Sequence, residues 1–225
     1  MKKIESTFWA TPEKGEVSAL WLEPEHAKAA LVLGHGAGAG MLHPNMDNIA
    51  HHFAAVGIAS LRYQFPYMER GGGRDSEKVS LATVRAAVGH AKRYAGNLPI
   101  FAGGHSFGGR MTYLTAAEEL PEVQGLIFCS FPLHAPGKPG VERAAKLMQV
   151  SVPMLFLSGD RDTFAKRELM DPLIDSLGEK ATIHWIHTMN HGYKILKRTR
   201  TSEESVFEEM ARLAQAWIDQ QTPGK

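Results

Sequence analysis

The 225-residue chain is 44% hydrophobic and 22% charged with a formal net charge of +1. That balance excludes disordered and fibrous classes and offers no global field to draw the protein onto nucleic acid or an anionic membrane. The lone cysteine, Cys129, leaves no internal disulfide and fits a reducing compartment.

The opening MKKIESTFWATPEKGEV lacks the apolar stretch of a secretory signal, and no apolar run is long enough to span a bilayer. A soluble, cytoplasmic protein is expected. VSALWLEP is expected to add an antiparallel edge strand. AALVLG, residues 29–34, reads as a buried strand, and MDNIAHHFAAVG follows with Met46, Ile49 and Phe53 at helical spacing. IASLRY reads as strand. SLATVRAAVGHAKRYA reads as helix, with Leu81, Val84, Val88 and Ala91 on one face. LPIFAGG is the next strand and GGRMTYLTAAEEL the next helix; GLIFCSF and VPMLFLSG are two further strands. AKRELMDPLIDSLG is a helix that Pro172 is expected to kink or divide. ATIHWIHT is a strand. The last helix carries Val206, Met210, Leu213 and Trp217 on one stripe, with Thr201 and Glu204 as its candidate capping box.

Apolar strands alternating with helices predict one α/β domain over residues 1–225, a mostly parallel sheet covered on both faces. Two loose stretches, PYMERGGGRDS and FPLHAPGKPGVE, fall at the carboxyl edge of that sheet, where such folds bind ligands.

Gly104-His105-Ser106-Phe107-Gly108 matches G-x-S-x-G between a predicted strand and a predicted helix. A serine there sits on a sharp turn that projects its Oγ, and small flanking residues let strand and helix approach. Its hydroxyl needs a base, and the base needs an orienting carboxylate, in the chain order Ser, acid, His. Asp160 and Asp162 follow one predicted strand, and Asp162, deeper in its loop, is favoured as the acid. His191 follows the last strand and is the candidate base. His184 and His187 read as packing residues, and His105 is expected to point away from the site. LGHGAGAG follows the first central strand, where an acyl-transfer enzyme places an oxyanion donor, so the backbone N–H groups of Ala37 and Phe107 form the expected pair.

A dinucleotide site is the competing reading of Gly34, Gly36 and Ala39, but MLHPNMD separates these glycines from the next helix, so no phosphate would meet its N-terminus. His43, Asp47 and His51 recur at four-residue steps, which suits a metal, yet Pro44 sets His43 before the helix, and no metal is expected. Arg62 and His134 are candidate substrate-pocket residues. Lys194, Lys197, Arg198 and Arg200 read as a solvated surface run, Arg110 as a partner for a nearby carboxylate, and Cys129 as a small buried hydrophobe.

Across LGHGAGAG, RYQFPY, GGHSFGGRM, SFPLHAPGKP, VPMLFLSGDRD and MNHGYK, most of the chain resembles the α/β-hydrolase superfamily, and within it the small, lid-poor dienelactone-hydrolase-like and testis-expressed-30-like hydrolases. The resemblance implies an α/β-hydrolase fold with minimal or no lid. It also implies Ser106 as nucleophile, Asp162 as acid, His191 as base, and Ala37 and Phe107 as oxyanion donors. A serine hydrolase acting on a small ester, lactone or thioester is expected, with no cofactor and no nucleic-acid or membrane partner. Some relatives of this branch serve as scaffold subunits, so a non-catalytic interaction module is the alternative.

Overall fold

The computed structural model describes residues 1–135 and 137–222. Eight strands form one sheet: β1 (Lys2–Thr11), β2 (Gly15–Glu23), β3 (Ala29–Gly34), β4 (Ile58–Tyr63), β5 (Ile100–His105), β6 (Val123–Cys129), β7 (Met154–Gly159) and β8 (Ala181–Ile186), in the spatial order β1-β2-β4-β3-β5-β6-β7-β8. From β4 to β8 all neighbours are parallel, and β1 and β2 join antiparallel at one side. Six helices accompany them: α1 (Pro44–Ala55), α2 (Pro66–Arg70), α3 (Glu77–Ala95), α4 (Phe107–Glu118), α5 (Arg167–Leu177) and α6 (Val206–Gln221).

The central strands are buried along their whole length, as their largely apolar sequences favour, and the polar Ser60, Arg62 and Ser158 are buried with them. Alternate residues serve opposite faces. Leu31, Leu33, Phe101 and Leu155 pack under α1 and α6, with Met46, Phe53, Met210 and Trp217 above them. Val32, Ala102, Phe128 and Phe156 pack under α3, α4 and α5, with Leu81, Val84, Met111 and Met170.

Several expectations change. VSALWLEP lies one place in from the edge, because β1 pairs along its outer side. The alternating Lys, Glu and Ser of β1 hide a strand in a polar-looking sequence, and charge on an edge strand discourages further pairing. The loose stretch PYMERGGGRDS contains α2. Helix α5 runs unbroken through Pro172, whose ring is exposed; the carbonyl it frees belongs to Glu168, also exposed, and water can satisfy it. The capping box of α6 is Ser205–Glu208, where Glu208 N–H donates to Ser205 Oγ (3.2 Å) and Ser205 N–H donates to Glu208 Oε2 (2.7 Å). The Ser/Thr-x-x-Glu pattern occurs twice here, and Glu204 is held by Arg212 instead.

Between β6 and β7 the described chain forms only two single-turn 3₁₀ segments, Glu142–Ala144 and Leu147–Gln149, and no lid domain.

Space within the sheet predicts opposite outcomes for two glycines. A Cβ at Gly103 would stand 1.8 Å from the Ile127 carbonyl oxygen, whereas one at Gly89, exposed on α3, would meet nothing within 4 Å. Gly103→Ala should cost about 3 kcal/mol or more, and Gly89→Ala should stabilise by about 1 kcal/mol; urea unfolding of both variants checks the pair.

Candidate active site

Ser106 sits between β5 and α4 with φ 50° and ψ −108°, a left-handed conformation costly to a residue with a Cβ. The turn is forced against β3. A Cβ at Gly104 would stand 2.3 Å from Gly34 O, and one at Gly108 2.3 Å from Gly34 C. Glycine at both places lets strand and helix backbones meet, and the serine is left at the carboxyl end of the sheet.

Ser106 Oγ lies 2.8 Å from His191 Nε2, and His191 Nδ1 lies 2.7 Å from Asp162 Oδ2. The carboxylate can only accept, so Nδ1 carries the proton and Nε2 is free to accept from the serine hydroxyl. The Asp162 side chain is fully buried, and its Oδ1 accepts the Phe164 N–H at 2.7 Å. The other candidate acid, Asp160, pairs with His187 at 2.8 Å, and His187 Nε2 meets Thr199 O. Backbone bonds from Asp160 N–H to Ile186 O and from Arg161 N–H to Met189 O set the turn so that the two carboxylates face different histidines. His187 is thus an exposed, paired side chain rather than a packing residue.

A cleft of about 320 Å³ opens over Ser106, walled by the loop after β3, the N-terminus of α1, Phe164, His105 and His191. Phe164 stacks on His191, with ring centroids 4.2 Å apart and planes at 23°. His105 does not point away: its ring lines the cleft beside His191, 5.3 Å between centroids. Its Nδ1 meets the Tyr193 hydroxyl at 2.7 Å and Cys129 O at 3.2 Å. Burial, then the neighbouring His191, pushes the His105 pKa down to about 3. Burial likewise pushes the Cys129 thiol up to about 12, so this cysteine is inert.

Ala37 lines the cleft, and the Tyr67 hydroxyl donates to its carbonyl at 3.0 Å. His35, fully buried before it, accepts the Phe65 N–H through Nε2 and donates from Nδ1 to Gly36 O, so it is neutral; burial holds its pKa down at about 4. Phe107 is the first residue of α4, where a backbone N–H has no helical partner.

The two expected pocket residues lie elsewhere. Arg62 is 2% exposed and bonds Asp47 Oδ1 (3.0 Å) and Met41 O (3.3 Å), bracing the start of α1 against β4. That pairing also takes up Asp47 from the suggested metal set, and no cluster of metal-ligating residues occurs among the described residues. His134 is buried; its Nε2 accepts the Lys166 backbone N–H and its own backbone N–H donates to Phe164 O, so it splices two loops behind Phe164 instead of reaching the cleft. Arg200 is no surface residue either, since it binds Glu209 at 2.6 Å and His187 O at 2.8 Å. Arg110 does meet a carboxylate, Glu77, at 3.4 Å. Sequence reasoning missed Phe164, Tyr67 and Tyr193, aromatic residues near the glycine and triad-candidate motifs. Proximity in sequence was the one signal that could have found them.

Residues 27–219 match the family described as alpha/beta hydrolase domain. Among similar solved structures, an alpha-beta serine hydrolase homologue from Coxiella burnetii has a TM-score of 0.75 at 17% identity, with 97% of this chain and 98% of that one covered. A serine hydrolase without lid from Xanthomonas campestris has a TM-score of 0.75 at 16% identity, covering 100% and 97%. A dienelactone hydrolase from Anabaena variabilis has 0.74 at 16%, covering 98% and 99%. At these identities the likeness is one of fold. No described helix is long and apolar enough to cross a membrane.

His35 and His105 give the fold a pH dependence. Both stay neutral when folded, while in the unfolded chain they take up protons below about pH 6.5. Stability should therefore be intact above that pH and fall as pH drops toward 4, by about 1.4 kcal/mol per unit for each histidine. Comparing urea midpoints at pH 7 and pH 5, His105→Gln should lose about one proton's worth of that slope; an unchanged slope would rule out a neutral, buried His105.

Proposed function

Because the chain belongs to the alpha/beta hydrolase domain family, we propose that it is a serine hydrolase that cleaves a small ester, lactone or thioester through an acyl-enzyme. The observation that carries this reading is the continuous run from Ser106 Oγ through His191 to buried Asp162, at 2.8 and 2.7 Å.

In the first half-reaction Ser106 Oγ attacks the substrate carbonyl and passes its proton to His191 Nε2. Asp162 holds the ring in the Nδ1–H tautomer and balances the imidazolium that forms. The tetrahedral oxyanion is received by the N–H groups of Ala37 and Phe107. Pinning of the Ala37 carbonyl by Tyr67, and the free first-turn amide of Phe107, support those roles. The positive end of α4 adds to them. The tetrahedral intermediate collapses, the carbon–leaving-group bond breaks, and His191 returns the proton to the departing oxygen or sulfur. Water, deprotonated by the same imidazole, then attacks the acyl-serine and releases the acid.

Phe164 and His134 support this chemistry indirectly. Stacking of Phe164 and the Asp162 bond limit the imidazole to small rotations, so the ring does not have to be ordered during the reaction. The small cleft and the absence of a lid domain favour short acyl groups over long lipid chains.

A fluorophosphonate probe read by mass spectrometry tests it. Wild type should take up one adduct, on Ser106. His191→Ala and Asp162→Asn should label slower by about three to four orders of magnitude, while Asp160→Asn, altering the neighbouring pair, should label as wild type does. An unlabelled but folded wild type would sink the hydrolase reading in favour of a non-catalytic interaction module.

A further inference from the structure

Three residues one turn apart on α4, Phe107, Arg110 and Tyr113, share a face of that helix. Each brings a guanidinium group to it. Arg74, from the loop between α2 and α3, lies over the Phe107 ring, its guanidinium carbon 5.9 Å from the centroid. Arg110 supplies its own, and its backbone N–H donates to Ser106 O at 2.9 Å, one helical turn from the serine. Tyr113 donates its hydroxyl to the carbonyl of Arg143, which ties that residue, from the loop between β6 and β7, to α4 one turn beyond Arg110. Arg143 Nη1 in turn donates to His134 O at 3.3 Å.

Countercharge is scarce here. Glu77 reaches Arg110 at 3.4 Å. Asp75, next to Arg74 in sequence, pairs through its Oδ1 with Lys14 at 2.7 Å and Arg70 at 3.2 Å and not with Arg74. Among the described residues neither Arg74 nor Arg143 makes an ion pair, and Arg110 Nε is buried without a hydrogen-bond partner. Of the three guanidinium groups only that of Arg110 is paired with a carboxylate among the described residues. Burial, and then repulsion from Arg110 and Arg74, lowers the pKa of Arg143.

We propose that Arg74, Arg110 and Arg143 form an anion subsite beside Ser106, and that the substrate of the proposed hydrolase carries a phosphate group there. This inference rests on Ser106 being the nucleophile. The choice of phosphate follows from charge and shape. A phosphate monoester carries between one and a half and two negative charges near neutral pH, with three strong acceptor oxygens in a tetrahedral array. A carboxylate offers one charge and two coplanar oxygens, which a single guanidinium fork already satisfies. Three arginines from three separate segments match the former. The substrate class is then a phosphorylated ester, lactone or thioester, and the subsite sets specificity while the triad performs the bond cleavage.

Calorimetric titration of phenyl phosphate, and separately of succinate, into wild type and Ser106→Ala tests the subsite without requiring turnover. Phenyl phosphate should bind both proteins alike, bind tighter than succinate, and weaken as salt rises. Arg74→Gln, at an exposed side chain, and Arg143→Gln should each weaken it by about tenfold or more. Arg85→Gln, whose partner Glu118 lies away from the cluster, should leave binding unchanged. Bound phenyl phosphate should also slow fluorophosphonate labelling of Ser106, which a distant anion site would not do. Absent binding, binding indifferent to Arg74 and Arg143, labelling indifferent to phenyl phosphate, or tighter binding of succinate would each overturn the phosphate subsite. Labelling of Ser106 with no phosphate binding would leave the hydrolase reading standing and overturn the subsite, and binding without any labelling would overturn the hydrolase reading and with it the assignment of the bound phosphate to a substrate.

Discussion

The structure depends on one close approach, the contact of α4 and β5 with β3 at Gly34, Gly104 and Gly108. No side chain fits there, since a Cβ at Gly104 or Gly108 would stand 2.3 Å from the Gly34 backbone. That contact bends the chain at Ser106 into a left-handed conformation and starts a helix at Phe107. Backbone strain of about 1–3 kcal/mol is stored at the serine and held by the packing around it. The same contact sets the loop after β3 beside the serine, so Ala37 and Ser106 face one cleft.

Around this elbow the fold uses buried, neutral or capped polar groups as struts. His35 joins the loop after β3 to the start of α2 through Phe65, and Tyr67 in that helix holds the Ala37 carbonyl. His134 ties the loop after β6 to the loop that carries Phe164. Tyr193 fixes His105 under His191. Each strut is a hydrogen bond to a group that would be costly to leave unpaired once buried. The imidazole of His191 is thereby restrained from three sides, by Asp162, Phe164 and His105. Without a lid domain, the loops themselves must keep the site in shape, and these bonds supply the rigidity.

The misread residues share a physical cause. Arg62 and His134 are polar residues in or after buried strands, and a polar residue in that position looks like a pocket lining. Both instead satisfy backbone and carboxylate groups of distant segments, Met41 and Asp47 for one, Phe164 and Lys166 for the other. His187 reads as packing in sequence because it extends the β8 pattern, yet β8 ends one residue before it and Asp160 meets it across the loop. Strand β1 was missed because an edge strand needs only one buried face and this one exposes its lysines and glutamates. The capping box shifted by one repeat of its own pattern, since Arg212 claims Glu204 and leaves Glu208 to Ser205.

Periodicity and local chemistry determined much by themselves. The short, largely apolar runs give β3 and β4 their observed limits, alternation with helical stripes gives a parallel sheet covered on both faces, and four glycines around one hydroxyl give the strand–turn–helix at Ser106. These features are legible because the forces behind them act over a few residues: strand burial, helical spacing and the steric freedom of glycine. Tertiary structure alone decided the pairings between segments far apart in the chain. Asp160 and Asp162 are two residues apart and chemically identical, and only hydrogen bonds from their turn to Ile186 and Met189 direct one to His187 and the other to His191. Arg74, Arg110 and Arg143 are scattered over 70 positions of sequence, and only the packing of their segments on one face of α4 makes them neighbours. Which partner a charge or an imidazole meets is set by loop closure over long sequence distances, and no local pattern records it.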